Sequence, residues 1–417
     1  MSVNQNFPEV SPSLLLDFAN SRTLDPRITF ERSSIGTYVA SNGLIKTAAA
    51  DEPRFDHDPE TGESLGLLIE ESRTNKFSYS EQFVNAGWDK SNIIITYDQI
   101  ISPDGSLNAD KFRKDSSNTE ACFMTDDTSL TNGVTYTQSI WAKAGEKTHL
   151  QIAPSTGFDS RYQNFNLVTG TLGNGDVQSA SIEAYGNGWY RCSVTQTANN
   201  SISGRMAFAL AESNSSSRIS TVSGNEGDGI YIWGAQLEEG SFTTSYIPTS
   251  GSQVTRQPDN ASITGTNFSS WFNPIEGTLY SKYFAGTYSS EVPFALSLSS
   301  DEQNNIISIS SSSAGPIPGA IATFFISDNG VSQTGLTHST NYVDGDVVTS
   351  AAAYKLNDSG FAVDGSIYTD NSTTIPNLDI VRIGKYPYFG IWNNKPIAQI
   401  MYYPKRLSNE QLQNLTK

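Results

Sequence analysis

The chain is built from short apolar runs of strand length that alternate with turns rich in glycine and asparagine. Examples are residues 92–100 (NIIITYDQI), 189–197 (WYRCSVTQT) and 320–327 (AIATFFIS). Long apolar patterns with the 3.6-residue helical period are almost absent. The 11% aromatic content beside only 17% charged residues also favours strands. The sequence therefore predicts an all-β protein of antiparallel sandwiches.

Length and charge limit the organisation and the partners. A chain of 417 residues exceeds what one core usually organises, so we expect two or three domains. The net charge of −17 would repel phosphate backbones and anionic lipid, which argues against nucleic-acid binding. No apolar run approaches the roughly 20 residues that span a bilayer, and the start lacks a secretory signal pattern. We expect no nucleic-acid partner and no membrane insertion.

Cysteine and histidine are too few to suggest a disulfide framework or a transition-metal site. Cys122 and Cys192 both lie in strand-like stretches, so we predict buried thiols, with a bridge as the alternative. With three histidines we predict no cofactor. The acidic turns at residues 225–228 and 344–346 could hold Ca²⁺, but neither has EF-hand spacing, and solvated turns are the preferred interpretation.

Residues 25–75 carry a dense alternation of arginine, acidic residues, glycine turns and short apolar runs. Its pieces are LLLDFANSRTLDPRITF (residues 14–30), GLI (43–45), PRFDHDP (53–59), LGLLIEE (65–71) and RTN (73–75). Together they resemble a segment near the N-terminus of bacteriophage virion proteins, mainly head-spike, head-fibre and tail-fibre proteins. The resemblance implies that residues 1–75 form an N-terminal arm that attaches to capsid, portal or tail-adaptor proteins. Their many prolines and short strands also suggest a segment that packs on something else.

Residues 76–256 have the strand spacing of a β-sandwich. The fragments SPDGSLNADKF (102–112), TYTQSIWAKAGE (135–146), YGNGWYRCSVT (185–195) and GIYIWGAQLEEGSFTTSYIPT (229–249) resemble a carbohydrate-binding-module type of jelly roll carried by phage proteins. Residues 257–272 are polar and rich in turns, and we predict a linker there.

Residues 273–417 form a second series of strands. Their ending, residues 382–415, resembles the C-terminus of a concanavalin-A-like (laminin-G-like) sandwich, in which a short helix follows the last strand. Ser408 and Gln411 provide a capping box for that helix. The predicted fold is thus an N-terminal arm, two antiparallel β-sandwiches of the jelly-roll type and a short C-terminal helix.

Sugar-binding sandwiches present aromatic faces to sugar C–H groups and place polar side chains at the edges. Core packing of any single tryptophan is the competing interpretation, and for Trp233 it is the preferred one. Tyr386, Tyr388 and Trp392 lie in a loop-like stretch, where a subunit contact is as good an explanation as a glycan platform. The candidate carbohydrate-binding residues are Trp141, Arg161, Tyr162, Trp189, Tyr386, Tyr388 and Trp392.

Two patterns associated with hydrolysis lack their required context. Residues 62–66 match G-x-S-x-G around Ser64, but no helix pattern follows, so we interpret the match as chance. The pairs Glu70–Glu71 and Glu238–Glu239 would face opposite sides of extended chain and could not act across one cleft. We expect no catalytic residues.

The sequence therefore predicts a non-enzymatic phage virion protein, a head spike, head fibre or tail fibre, that binds host surface glycan. We expect it to form a homo-oligomer. Two alternatives stay open: a polysaccharide-degrading or deacetylating enzyme on the same sandwiches, and a capsid cement protein without a ligand. Sugar release would identify the enzyme, and glycan binding would separate the adhesin from the cement protein.

Overall fold

The computed structural model describes residues 8–286, 294–300, 304–313, 320–340, 342–386 and 391–417. These residues form 35 strands and three short helices, and the registered strand pairs within the two sandwiches are antiparallel. The all-β prediction is confirmed. No helix in this described part of the chain is long and apolar enough to cross a membrane.

The strands follow the chain in three groups. The N-terminal group is β1 (Leu14–Asp17), β2 (Thr29–Glu31), β3 (Gly36–Val39), β4 (Ile45–Ala48), β5 (Arg54–His57), β6 (Ser64–Leu68) and β7 (Arg73–Asn75), with helix α1 (Phe18–Ser21) after β1. The middle group is β8 (Asp89–Ser91), β9 (Ile93–Ile101), β10 (Leu107–Lys114), β11 (Glu120–Ala121), β12 (Phe123–Ser129), β13 (Thr135–Lys143), β14 (His149–Pro154), β15 (Gln163–Asn166), β16 (Thr171–Gly175), β17 (Ser179–Ala184), β18 (Trp189–Thr197), β19 (Ser203–Ala211), β20 (Thr221–Val222) and β21 (Gly229–Glu239). The distal group is β22 (Val254–Arg256), β23 (Asn260–Thr264), β24 (Glu276–Phe284), β25 (Phe294–Ser299), β26 (Ile306–Ser313), β27 (Ala320–Asp328), β28 (Val331–Thr337), β29 (Val347–Lys355), β30 (Ser359–Val363), β31 (Ser366–Asp370), β32 (Ile380–Ile383), β33 (Lys385–Tyr386), β34 (Ile391–Trp392) and β35 (Pro396–Tyr403), with helices α2 (Gly265–Ser269) and α3 (Asn409–Leu415).

The middle sandwich consists of two six-stranded sheets, ordered β17-β18-β13-β21-β10-β9 and β16-β15-β14-β19-β12-β8. Side chains from both sheets meet in one core, with Ile140 of β13 and Phe208 of β19 fully buried in it. Because successive strand residues point to opposite faces, Trp141 turns away from this core and joins an outer aromatic cluster. Its neighbours Ile140 and Ala142 point the other way, into the core.

The distal sandwich consists of an eight-stranded and a seven-stranded sheet. The first is ordered β31-β30-β29-β24-β35-β6-β5 with β1 also on β35, and the second β2-β23-β32-β25-β26-β27-β28. Alternation places Phe324 and Ile326 of β27 in the core, while α3 covers a small second core through Leu412. The Ser408 and Gln411 capping box of α3 is confirmed.

The N-terminal segment differs from the predicted arm. Strands β1, β5 and β6 complete the larger distal sheet, with Leu14 opposite Tyr402 and Leu67 opposite Ile397. Leu14 and Leu67 are buried in the distal core, because the apolar faces of these short strands need a sheet partner. The described residues of the segment are therefore part of the body of the protein.

The predicted linker, residues 257–272, also differs. It contains β23, which pairs with β2 and β32, and the short helix α2. Phe268 and Trp271 are buried in the distal core. Residues 257–272 therefore belong to the distal domain, with their polar residues at its edge. Cys122 and Cys192 are buried free thiols, as expected.

Candidate functional site

A buried cluster of charged side chains lies where the N-terminal segment meets both sandwiches. We call it the junction cluster; its members are Arg32, Arg54, Glu70, Arg256 and Asp259, all at most 2% exposed. Arg54 Nη1 lies 2.7 Å from Glu70 Oε2, and Arg256 Nη1 lies 2.9 Å from the same oxygen. Asp259 accepts from Arg32 Nη1 at 3.0 Å and also pairs with Arg54. The cluster thus joins chain segments that precede, end and follow the middle sandwich.

Further hydrogen bonds stabilise the charged form of the Glu70 carboxylate. Ser245 donates to Glu70 through its backbone N–H at 2.8 Å and through its hydroxyl at 2.7 Å. Burial alone would raise the pKa of Glu70, but Arg256 and Arg54 outweigh it and lower that pKa to about 2. Buried charges are tolerated only with such compensation, so the cluster fixes one relative placement of the segments.

A cleft of about 480 Å³ opens beside the junction cluster, and Glu70 belongs to both. The N-terminal segment, both sandwiches and the chain after β21 each contribute walls to this junction cleft. The polar and aromatic lining residues are Thr37, Tyr38, Asp56, His57, Asp58, Glu60, Glu70, Trp141, Glu183, Tyr185, Arg191, Thr243, Thr244, Ser245, Tyr246, Phe284, Asn394 and Lys395.

Strand β5 places Asp56 and His57 in the wall of the cleft. Asp56 Oδ1 accepts the backbone N–H of Val39 at 2.7 Å. Burial is the main cause that raises the pKa of Asp56 to about 6, and Glu70 adds to it. His57 is 5% exposed; its Nδ1 lies 3.0 Å from the Val39 carbonyl, which can only accept. Nε2 of His57 is buried, and no described residue hydrogen-bonds to it.

Tyr185 is one of three half-buried aromatic residues that line the cleft, together with Tyr38 and Phe284. The Tyr185 ring packs edge-to-face on Trp141 with ring centroids 5.4 Å apart. Burial raises the pKa of Tyr185, so its hydroxyl stays neutral. Trp141 itself is 1% exposed, and the Arg191 guanidinium lies 4.4 Å from its ring centroid. The face of Tyr185, and not that of Trp141, is available to a ligand.

Lys395 is the cationic group of the distal wall. Its Nζ lies 2.8 Å from Asp344 Oδ2. Burial works against the ammonium charge, but Asp344 and Glu183 outweigh it and raise the pKa of Lys395. The cleft therefore combines the Lys395 ammonium, the Arg191 guanidinium, several carboxylates and aromatic rings.

The candidates from the middle sandwich fall in different places. Trp141 lies behind Tyr185, and Trp189 is 3% exposed with its indole N–H donated to the Ile101 carbonyl at 3.1 Å. Neither ring can stack on a ligand, because both are covered by the outer aromatic cluster. Arg161 and Tyr162 lie away from the cleft, where Arg161 Nη1 donates to the Asp176 carbonyl and Tyr162 N–H to the Asp176 carboxylate.

The distal candidates do not form an open platform in the part of the chain that is described. Trp392 is half-buried, donates its indole N–H to the Asp259 carbonyl at 2.7 Å and has Lys385 Nζ 4.5 Å from its ring centroid. Tyr386 is half-buried in the β33–β34 hairpin. Tyr388 lies outside the described residues. Trp392 therefore supports the junction cluster from the distal side. Trp233 is 1% exposed and packed, as the sequence predicted.

The G-x-S-x-G match has a structural explanation. Ser64 begins β6, and Gly66 has a φ of 110° with the Ile397 carbonyl oxygen where a Cβ would lie. The glycine thus permits close approach of β35, in a hairpin without a nucleophile elbow. In β21, Glu238 is buried and Glu239 is exposed, so this pair faces apart as predicted. Glu70 and Glu71 follow the end of β6, and both side chains are largely buried.

The two acidic turns are held by their own backbone. Asp228 Oδ2 accepts the Asn225 N–H at 2.8 Å, and Asp346 Oδ2 accepts the Val343 N–H at 2.8 Å. Among the described residues, no group of three or more His, Cys, Asp and Glu side chains is placed to hold a metal ion.

Sequence reasoning missed Asp56, His57, Tyr185 and Lys395. Two signals were present: the polar run PRFDHDP in a segment of short strands, and the glycine-flanked tyrosine of YGNGW. Neither indicates a site without knowing that residues 56 and 185 meet.

No family model and no curated protein matches the chain. Solved structures with some likeness include the CBM40 of Ruminococcus gnavus IT-sialidase bound to alpha2,6 sialyllactose, at 14% identity and a TM-score of 0.30, covering 36% of this chain and 88% of that one. A heptameric SAP-like pentraxin from Limulus polyphemus has 14% identity and a TM-score of 0.26, covering 34% and 70%. Mouse laminin alpha1 domains LG4-5 have 10% identity and a TM-score of 0.23, covering 71% and 89%. With such low scores, the function has to be argued from the site.

Proposed function

We propose that the protein is a bacteriophage virion protein, a head spike, head fibre or tail fibre, whose junction cleft binds a glycan of the host surface. The virion assignment is supported by the resemblance of residues 25–75 and of the middle-sandwich fragments to phage proteins. Several side chains of residues 1–75 are buried in the distal core or in the junction cluster. We therefore assign attachment to the particle to the solvent-exposed side chains in the described part of this segment.

The observation that carries the glycan proposal is the combination of groups in the junction cleft. Its volume of about 480 Å³ lies in the range of small-molecule sites. The half-buried Tyr185 ring can stack on sugar C–H groups. The Asp56 carboxylate and the Lys395 ammonium, which both line the cleft, can hydrogen-bond hydroxyls. A polar, aromatic cleft of this kind suits an uncharged polyol better than an apolar ligand.

A single site of this kind is expected to bind weakly. One aromatic contact and a few hydrogen bonds to neutral hydroxyls are each worth about 1 kcal/mol after competition with water. Several copies on one particle would raise the overall strength of adhesion without any new contact. We therefore propose a homo-oligomer as the adhesive unit.

The test is glycan binding by a Tyr185→Ala variant. We expect it to lose most binding to host surface polysaccharide at a temperature where the variant is still folded, since loss of the contact with Trp141 also lowers stability. Tyr97→Ala is the matched control, since Tyr97 is 65% exposed on edge strand β9 and lies outside the cleft. If both variants bind like the wild type, the cleft is not the glycan site. If the wild type binds particles but no polysaccharide, a cement role replaces the proposal.

One observation favours a second function, polysaccharide hydrolysis. Glycosidases use two carboxylates that flank the scissile bond, one of them with a raised pKa. Asp56, with a pKa of about 6, and Glu183 both line the cleft. Release of reducing sugar from host polysaccharide that disappears in Asp56→Asn would establish this enzyme. Binding without release supports the non-enzymatic proposal.

A further inference from the structure

A second cavity, of about 380 Å³, adjoins the junction cleft, and Pro59 and Tyr185 line both. We call it the side cavity. Three loops contribute to it, namely residues 42–44, the turn at Pro59 and the loop after β17; residues 100–103 and the side chains of Lys143, Trp189 and Tyr231 complete its lining. The Pro59 carbonyl oxygen lies so close to Gly43 that a Cβ there would meet it, and it also lies 3.3 Å from the Cβ position at Gly186. These contacts hold the three loops together around the shared wall.

The side cavity and the junction cleft differ in charge. The side cavity is lined by Lys143 and by the polar side chains of Asn42 and Asn187, and its lining contains no carboxylate. Lys143 lies along Gly188 and forms no ion pair among the described residues. The junction cleft, by contrast, is lined by five carboxylates and only two cations, Arg191 and Lys395; the carboxylates are those of Asp56, Asp58, Glu60, Glu70 and Glu183. An anionic group would therefore be attracted to the side cavity and repelled by the junction cleft.

We infer that the two cavities are neighbouring subsites for one oligosaccharide, with a neutral sugar in the junction cleft and an anionic sugar beside Lys143 in the side cavity. This inference rests on the proposed function and narrows it to acidic polysaccharides. Tyr185 forms the wall between the subsites, so one ring would contact both sugar units. Asn187, exposed in the loop with a φ of 50°, is placed at the rim of the second subsite.

The experiment compares fragments of one to six sugar units from the host polysaccharide that the wild type binds, each in native and in carboxyl-reduced form. We expect wild-type affinity to rise between one and two or more units, and to fall on carboxyl reduction. Lys143→Met should lose roughly three- to tenfold in affinity for native fragments of two or more units, as expected for one partly buried ion pair. Its affinity for carboxyl-reduced fragments should not change.

Lys355→Met is the matched control, because it removes the same charge from an exposed position on the distal sandwich. Equal effects of the two substitutions would mean a general charge effect and would overturn the second subsite. Wild-type binding that does not depend on fragment length would overturn it as well, while leaving the glycan-binding function intact. If the wild type binds no host polysaccharide, the proposed function fails and the second subsite fails with it.

Discussion

Replacing Glu70 with Gln tests whether the junction cluster holds the protein together. The substitution keeps the shape of the side chain but leaves Arg32, Arg54 and Arg256 with Asp259 as the remaining carboxylate of the cluster. It also exchanges an acceptor oxygen for an N–H₂ group that faces the donors of Ser245 or the arginines. After these changes, buried arginine charges and buried hydrogen-bond donors lack the acceptor that Glu70 provided.

The loss of unfolding free energy expected for Glu70→Gln can be calculated in two ways. A pKa lowered from its ordinary value of 4.5 to about 2 corresponds to about 3 kcal/mol of folding free energy at neutral pH. Removal of one partner from a buried ion pair typically costs about 3–5 kcal/mol. Both values are a large part of the roughly 5–15 kcal/mol that stabilises a typical domain, so the effect should be plain in a denaturant titration.

The dependence on pH gives a second, independent readout. The pKa of Glu70 is lower in the folded than in the unfolded chain, so its stabilisation is fully present above about pH 4.5. It is lost as the pH falls toward 2, where the folded form also takes up the proton. The difference in unfolding free energy between the wild type and Glu70→Gln should therefore shrink as the pH is lowered from 5 to 3.

The measurement is urea unfolding followed by fluorescence at several pH values. Glu239→Gln is the control, because Glu239 is half exposed and pairs with Lys76 at the surface, where an ion pair contributes about 0–1 kcal/mol. A loss below about 1 kcal/mol for Glu70→Gln at pH 7 would refute the reasoning, since that is the range of the surface pair.

Three further predictions concern the N-terminal segment and the cleft. Deletion of residues 1–75 should prevent folding, because it removes β1, β5 and β6 from the distal sheet; a soluble product with the wild-type circular dichroism spectrum would contradict this. Asp56→Asn should stabilise the protein at pH 7 but not at pH 4. The pKa of Asp56 is about 6 in the folded chain and has an ordinary value of 3.8, so the wild type loses stability as the pH rises through this interval. The neutral amide of the variant avoids that loss. Unfolding midpoints at the two pH values test it. Ser64→Ala should leave adsorption and any polysaccharide or ester cleavage unchanged, and a loss of cleavage in that variant would promote the hydrolase.

Strand content and the orientation of individual core residues could be predicted because they depend on local patterns. Alternation with period two separates Ile140 and Ala142 from Trp141, and the Ser408–Gln411 pair specifies a helix start within four residues. The position of the N-terminal segment could not be predicted in this way. Arg54 and Asp259 are 205 residues apart, and Arg32 and Asp259 are 227 apart. Charged residues are usually exposed, so without knowledge of these distant partners the sequence places them in solvent-exposed loops.

The candidate site was missed for the same reason. Sequence reasoning sought aromatic residues within each sandwich separately, and a single buried strand can explain Trp141 or Trp189 completely. The half-buried ring of Tyr185 lies instead in a turn after β17, and its polar neighbours come from β5 and from the chain before β35. Only the pairing of the N-terminal strands with the distal sheet brings these segments to one cleft.

Glu70 belongs to both the junction cluster and the junction cleft. Weakening the cluster should therefore also affect ligand binding in the cleft. The walls of the cleft come from both sandwiches, and the cluster fixes how the segments that carry them are placed. Glu70→Gln should therefore weaken glycan binding at temperatures where the variant is still fully folded, although the buried side chain offers little surface to a ligand. Normal affinity in a destabilised but folded Glu70→Gln variant would show that the cleft keeps its shape without the cluster. In that case the arginines and acids of residues 25–75 serve folding alone, and recognition depends only on the groups that line the cleft.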